Sequence, residues 1–226
     1  MCGRFSQSQP AEAIAKAFQV EVPPLKARYN IAPTQTVGTI LLTPEEQKRE
    51  FKMLRWGLIP SWAKDEKIGV RLINARAETV AEKPSFRSAF RHRRCLVVAD
   101  GFYEWQKLEG KKQKQPFYFQ MRDKKPFAFA GLWEHWHNPN GEEINSCTIL
   151  TTEANNLSRP IHERMPVILE EKNYDLWLDT EEKNTELLQP LLSPYPTEKM
   201  MAYPVSKAVN KASNEGAECI EENPFI

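Results

Sequence analysis

The stretch Cys95-Leu96-Val97-Val98-Ala99-Asp100-Gly101-Phe102-Tyr103-Glu104-Trp105 decides the architecture. Two short runs, Cys95 to Ala99 and Phe102 to Lys107, are rich in β-branched and aromatic residues and read as strands. Working outward, Met53 to Ile59, Phe117 to Met121, Phe127 to Trp133 and Ser146 to Thr152 carry the same signature. Leu108 to Lys112, Arg122 to Lys125 and Asn138 to Gly141 read as hairpin loops, so an antiparallel meander is expected at the centre of the chain. Helical spacing marks Pro10 to Phe18, through Ile14, Ala17 and Phe18, and Ser85 to His92, through Phe86, Ala89 and Phe90. Further helices are expected at Asn155 to Ile161, Lys172 to Leu178 and Lys183 to Leu192. No linker or repeat divides the sequence. The expected fold is α+β: a single domain over residues 1–226, with a curved antiparallel sheet or open barrel and peripheral helices.

Composition narrows the function. The 226 residues hold 31 Lys+Arg against 30 Asp+Glu, a formal charge of +1, which excludes a basic DNA-coating tail or an acidic one. With 41% hydrophobic residues a packed core is expected. Cys2, Cys95, Cys147 and Cys219 form no CxxC pair, so neither a zinc ribbon nor a disulfide framework is written here. No signal-peptide core is present, and no apolar run approaches the roughly 18 residues of a membrane span. A soluble, cytoplasmic protein without a membrane partner is expected. GxSxG, GxxxxGK[ST] and GxGxxG are all missing, which removes the α/β-hydrolases, P-loop nucleotidases and Rossmann dehydrogenases. His135 and His137 lack a local set of further ligands, so no metal and no cofactor are expected. Arg87, Arg91, His92, Arg93 and Arg94 form one positive cluster and Lys111-Lys112-Gln113-Lys114 another; each reads equally as a solvated face or a phosphate contact.

Cys2 is the unusual residue. Removal of Met1 leaves a 1,2-aminothiol, whose amine (pKa about 7.7–8.0) and thiol (about 8.5) are both partly nucleophilic near neutral pH. The amine can condense with an aldehyde, and the thiol can then close a thiazolidine ring. Alternation along Phe102 to Trp105 sets Phe102 and Glu104 on one face and Tyr103 and Trp105 on the other. A glutamate among rings is expected to have a raised pKa, which suits proton transfer; otherwise it is an edge residue reaching water. Asn74-Ala75-Arg76-Ala77-Glu78 and Ile161-His162-Glu163-Arg164-Met165-Pro166 place polar groups at element ends, where catalytic groups are often mounted.

Met1-Cys2-Gly3-Arg4-Phe5, Arg28-Tyr29-Asn30-Ile31-Ala32-Pro33, Arg55-Trp56-Gly57-Leu58-Ile59-Pro60, Ile73 to Glu78, Asp100 to Trp105, Ala130-Gly131-Leu132-Trp133 and His162 to Pro166 occur in this order. Together they resemble the SOS response-associated peptidase (SRAP) family, over nearly the whole chain. The resemblance implies a sensor that binds abasic sites in single-stranded DNA and shields them by a covalent thiazolidine crosslink. It implies catalytic roles for Cys2, Asn74, Glu104 and His162. It implies DNA contacts from Arg4, Asn30, Pro33, Trp62, Arg76, Trp105, Arg164 and Ser206, with Asn210 in the same C-terminal motif as Ser206. Where some relatives carry a second Trp after the one matching Trp62, this chain has Ala63. The expected protein is a monomer, nucleoid-associated when bound to DNA. An N-terminal-cysteine (auto)peptidase, an abasic-site lyase and a non-covalent reader of modified bases are the alternatives. Arg4, Arg76 and Arg164 are expected to converge on one face, with acidic residues elsewhere.

Overall fold

A computed structural model describes residues 2–43, 47–110, 113–138 and 140–223. Lys111 and Lys112 of the second basic run, with parts of two expected hairpin loops, lie outside the described residues, as does Met1. The strands are β1 (Phe5–Gln7), β2 (Arg28–Ile31), β3 (Thr36–Leu42), β4 (Arg49–Trp56), β5 (Asn74–Arg76), β6 (Arg94–Ala99), β7 (Gly101–Gln106), β8 (Gln115–Met121), β9 (Phe127–His137), β10 (Glu143–Glu153), β11 (Arg164–Pro166), β12 (Ile168–Leu169) and β13 (Met200–Pro204). The helices are α1 (Ala11–Phe18), α2 (Arg87–His92), α3 (Tyr174–Leu178) and α4 (Thr185–Leu188).

The strands form two sheets around a buried core, and the larger sheet closes into a barrel rather than staying open, because β10 pairs with both β4 and β9. A five-stranded sheet has the order β13-β8-β7-β1-β2; a larger one runs β11-β10-β4-β3-β6-β9-β12, with β5 beside β10. The α+β class holds, but the meander is interrupted. β7 pairs β8 and β9 pairs β10 as expected, whereas the chain changes sheet between β6 and β7 and again between β8 and β9. Arg122 to Lys125 is therefore a crossover rather than a hairpin loop. The larger sheet is also mixed, because β10 runs parallel to β4 and to β5.

Burial explains the interruption. Every residue of β6 is buried, so this strand needs cover on both faces and lies between β3 and β9. Leu96 and Val98 pack with Ile14, Phe18, Phe90 and Trp177 under the helices, while Cys95, Val97 and Ala99 face the space between the sheets. There the Phe5 ring meets Trp56 at 5.1 Å and Phe129 at 5.6 Å between centroids, both edge-on. Gly101 allows the change of sheet, since a Cβ there would overlap the Tyr118 ring and hydroxyl.

Arg94, read as part of a basic patch, is buried. Its guanidinium donates to the carbonyls of Phe90 (2.8 Å), Arg91 (2.9 Å), Trp177 (2.6 Å), Asp179 and Glu182 (3.0 Å), tying the ends of α2 and α3 to β6. Arg93 pairs with the buried Glu134 at 2.8 Å. Asn155 to Ile161 is a run of turns, not a helix. Asn155 Oδ1 accepts from the amides of Leu157 and Ser158, and Pro160 supplies no N–H to continue a helix.

Asp100 closes β6 and holds β1. Its buried carboxylate accepts from Ser6 Oγ, from the Ser8 amide and hydroxyl (2.9 Å for the latter), and from the Gln9 amide at 2.8 Å. Asp100→Ala leaves these donors without their acceptor, and urea unfolding is expected to show a loss of about 3 kcal/mol. A loss below about 1 kcal/mol would mean that water replaces the carboxylate.

Candidate functional site

The amino-terminal residues enter the interior because β1 is sandwiched. Phe5 lies opposite Phe102 of β7 on one side and Ile31 of β2 on the other, and Tyr103 N donates to Arg4 O at 3.0 Å. This pairing carries Cys2 into the space between the sheets, where it has no accessible surface and its Sγ lies 3.8 Å from Arg4 O. Burial pushes the Cys2 thiol far above its ordinary value, and the nearby Glu104 carboxylate adds to the shift.

Glu104 is almost fully buried. Alternation along β7 runs as the sequence implies: Phe102 packs between the sheets, while Tyr103 and Trp105 join Tyr118, Val205 and Val209 on the other face. The edge-strand reading of Glu104 is thereby excluded. Burial raises its pKa, and the charge of His162 acts against that rise. His162 sits in the loop before β11, where its Nδ1 accepts from the Arg164 amide at 3.0 Å. A neutral His162 held this way carries its proton on Nε2. Cys2, Glu104 and His162 thus interact around one interior space.

Asn74 lies on β5, paired with Ile149 of β10. Its Nδ2 reaches Ile149 O at 3.4 Å, and its buried Oδ1 has no hydrogen-bond partner among the described residues. Such an acceptor is available to a ligand donor.

The expected DNA contacts divide into two sets. Trp62, at 59% exposure, is an open aromatic platform, and Arg76 is exposed at the end of β5. Pro33 is half-buried in the turn after β2. The others are engaged within the protein. Arg4 Nη1 donates to Asn30 Oδ1 and Val209 O, both at 2.8 Å, and Nη2 to Asn210 O at 3.3 Å. Asn30 is fully buried, and its Nδ2 donates to the carbonyls of Val209 (3.1 Å), Lys211 (3.1 Å) and Asn214 (2.8 Å). Trp105 Nε1 donates to Asn210 Oδ1 at 2.7 Å. Ser206 Oγ accepts from Ala208 N at 3.2 Å and caps a 3-10 turn. Arg4, Asn30 and Trp105 hold the C-terminal segment in place from beside β1, from β2 and from β7, and Ser206 shapes the turn they grip.

Arg164 binds both carboxylate oxygens of Glu78 and also Thr151, through O at 2.7 Å and Oγ1 at 3.3 Å. Arg76 and Arg164 flank the end of β10, opposite Thr151 and Glu153, whereas Arg4 lies beside β1. The expected separation of charge is thus broken at Glu78, which sits among the arginines. Asp100, Thr151 and Glu78 are the contributors without an assigned role in the sequence reading, although Glu78 belongs to the quoted Asn74 to Glu78 run. His135 and His137 lie on the exposed end of β9. Among the described residues no group of three or more His, Cys, Asp or Glu is arranged to hold a metal ion, and no helix is long and apolar enough to cross a membrane.

The profile of the SOS response associated peptidase (SRAP) family matches residues 1–212. The chain belongs to the SRAP family. It is 44% identical over 227 residues to the abasic site processing protein YoqW of Bacillus subtilis (strain 168), covering 99% of this chain and 100% of that one. It is 30% identical over 269 residues to the abasic site processing protein HMCES of Rattus norvegicus, covering 97% of this chain and 75% of the relative. A crystal structure of a Bacteroides thetaiotaomicron protein superimposes with a TM-score of 0.87 at 28% identity, over 98% of this chain and 100% of that one.

The raised Glu104 pKa has a consequence for stability. Between the ordinary carboxylate value of about 4.3 and the higher folded value, the folded state binds more protons than the unfolded, so stability falls as pH rises through this window. Glu104→Gln removes the cost of burying the charge. Thermal melts are expected to place this variant above the parent at pH about 7–8, each kcal/mol being about 2–4 °C at this chain length, and to converge with it near pH 4. A variant that melts lower at neutral pH would mean that the ionised carboxylate is stabilised where it lies.

Proposed function

We propose that this protein processes abasic sites in single-stranded DNA by forming a covalent thiazolidine crosslink through Cys2 once Met1 is removed. The observation that carries this reading is the burial of Cys2 beside Glu104, whose carboxyl burial favours in its protonated form, with His162 next to that carboxyl. Its relatives' names point to the same lesion.

In the proposed sequence, the neutral Cys2 amine attacks the C1′ aldehyde of the ring-opened deoxyribose. The carbinolamine that results loses water to give an imine. Protonated Glu104 donates to the departing hydroxyl, and His162 relays the amine proton. The thiol then adds across the imine: sulfur bonds to C1′ and the thiol proton ends on nitrogen. Because burial disfavours a free thiolate, Glu104 is the group to take the thiol proton as sulfur attacks. Asn74, through its available Oδ1, orients the amine or a sugar hydroxyl.

Trp62 offers a face for stacking an unpaired base and Arg76 a cation for a phosphate. Arg4, Asn30, Trp105 and Ser206 support the DNA surface chiefly by fixing the segment around Val209 and Asn210. A single monomer over residues 1–226, working where cellular DNA lies, is sufficient for this chemistry.

The test is an abasic single-stranded oligonucleotide incubated with protein whose intact mass shows the loss of Met1. A slow band that survives SDS is expected, and Cys2→Ala should abolish it. Glu104→Gln is expected to slow its formation by about 10²-fold. Free DNA in every lane would overturn the reading; cut DNA without the slow band would identify a lyase. Binding indifferent to Cys2→Ala, with no covalent product, would identify a non-covalent reader.

A further inference from the structure

The Glu78–Arg164 pair has the shape of a phosphate site that already holds an anion. Glu78 Oε2 lies 3.0 Å from Arg164 Nη2, with Oε1 on Nη1, the fork by which arginine also binds phosphate. The two partners differ in exposure: the Arg164 side chain is 14% exposed and that of Glu78 51%. Thr151 fixes the guanidinium from behind through its carbonyl and hydroxyl, so the carboxylate is the partner free to leave. Arg76, two residues before Glu78, is exposed and makes no hydrogen bond or salt bridge among the described residues. Its charge reaches the same carboxylate. Two cations therefore surround one displaceable anion at the end of β10, next to Asn74.

We propose that Glu78 is a displaceable stand-in for a nucleic-acid phosphate: a strand phosphate replaces it on Arg164, with Arg76 as second cation, and Glu78 thereby weakens the hold on undamaged single strands. This deepens the DNA-processing function proposed above and rests on it. A protein that secures its lesion by a bond gains from releasing intact DNA, and an internal competitor supplies that release.

Fluorescence anisotropy with a labelled, undamaged oligothymidylate, read across a salt series, tests the proposal. Glu78→Gln is expected to bind about fivefold tighter, the scale of one exposed ion pair no longer broken on binding. The slope of log affinity against log salt should stay the same to well within about 0.7, the step of one phosphate contact, because a phosphate reaches Arg164 in both proteins. Arg164→Gln should cost more affinity in the Glu78→Gln background than in the parent. Unchanged or weaker binding by Glu78→Gln would overturn the proposal and leave Glu78 as a brace for Arg164, and a slope steeper by a full contact would show that no phosphate reaches Arg164 in the parent.

Glu78→Ala is measured alongside, and thermal melts establish that both variants fold. Should neither fold, the Arg164 Nε–H resonance of the parent protein replaces them: it must shift on adding oligothymidylate, and an unmoved resonance overturns the proposal. Undamaged DNA is scored separately from the Cys2-dependent band. A parent that fails to crosslink while Glu78→Gln still tightens binding overturns the covalent function alone.

Discussion

A buried carboxylate, that of Asp100, anchors the amino terminus of this protein. A strand as short as Phe5–Gln7 cannot hold itself in a sheet by its own ladder. Asp100 accepts from the residues that leave β1, while β7 and β2 pair with it on either side. Because the same aspartate ends β6, the point where the chain changes sheet is also the point that fixes β1. The depth of Cys2 and the register of Glu104 follow from that joint.

The interior that receives Cys2 is costly for the groups placed in it. Glu104 and the Cys2 thiol are both pushed toward their neutral forms by loss of solvent. In a core without chemistry these positions would favour apolar residues. The surrounding packing, with Phe5 set edge-on against Trp56 and Phe129, holds the arrangement in place. Positive charge is also drawn inward: Arg164 is held by Glu78, Arg93 by Glu134 and Arg94 by backbone carbonyls.

Much of this was legible in the sequence, and what was not has physical causes. Strands such as β8, β9 and β10 announced themselves because their branched and aromatic residues form unbroken runs. β3 did not, since Gly38 interrupts its pattern; the gap admits Gln7 and Phe51, which a Cβ would overlap. β1 carries Ser6 and Gln7, polar by composition but buried through distant partners. The turns at Asn155 to Ile161 looked helical because the capping action of the Asn155 side chain leaves no mark in apolar spacing. For the candidate site, the motifs pointed to Cys2, Glu104 and His162, which the structure places near one another. They could not distinguish an arginine that faces solvent, such as Arg76, from one already occupied, such as Arg4 or Arg164.

Arg4 and Asn30 bind the backbone of residues more than 170 positions later. These contacts cannot exist on a nascent chain until the segment after β13 has left the ribosome. During synthesis the amino terminus is open to trimming, and in the finished fold Cys2 has no exposed surface. Connectivity thus separates two stages of folding: the amino terminus is uncovered while the chain is incomplete, and the segment carrying Val209 and Asn214 packs against it only at the end.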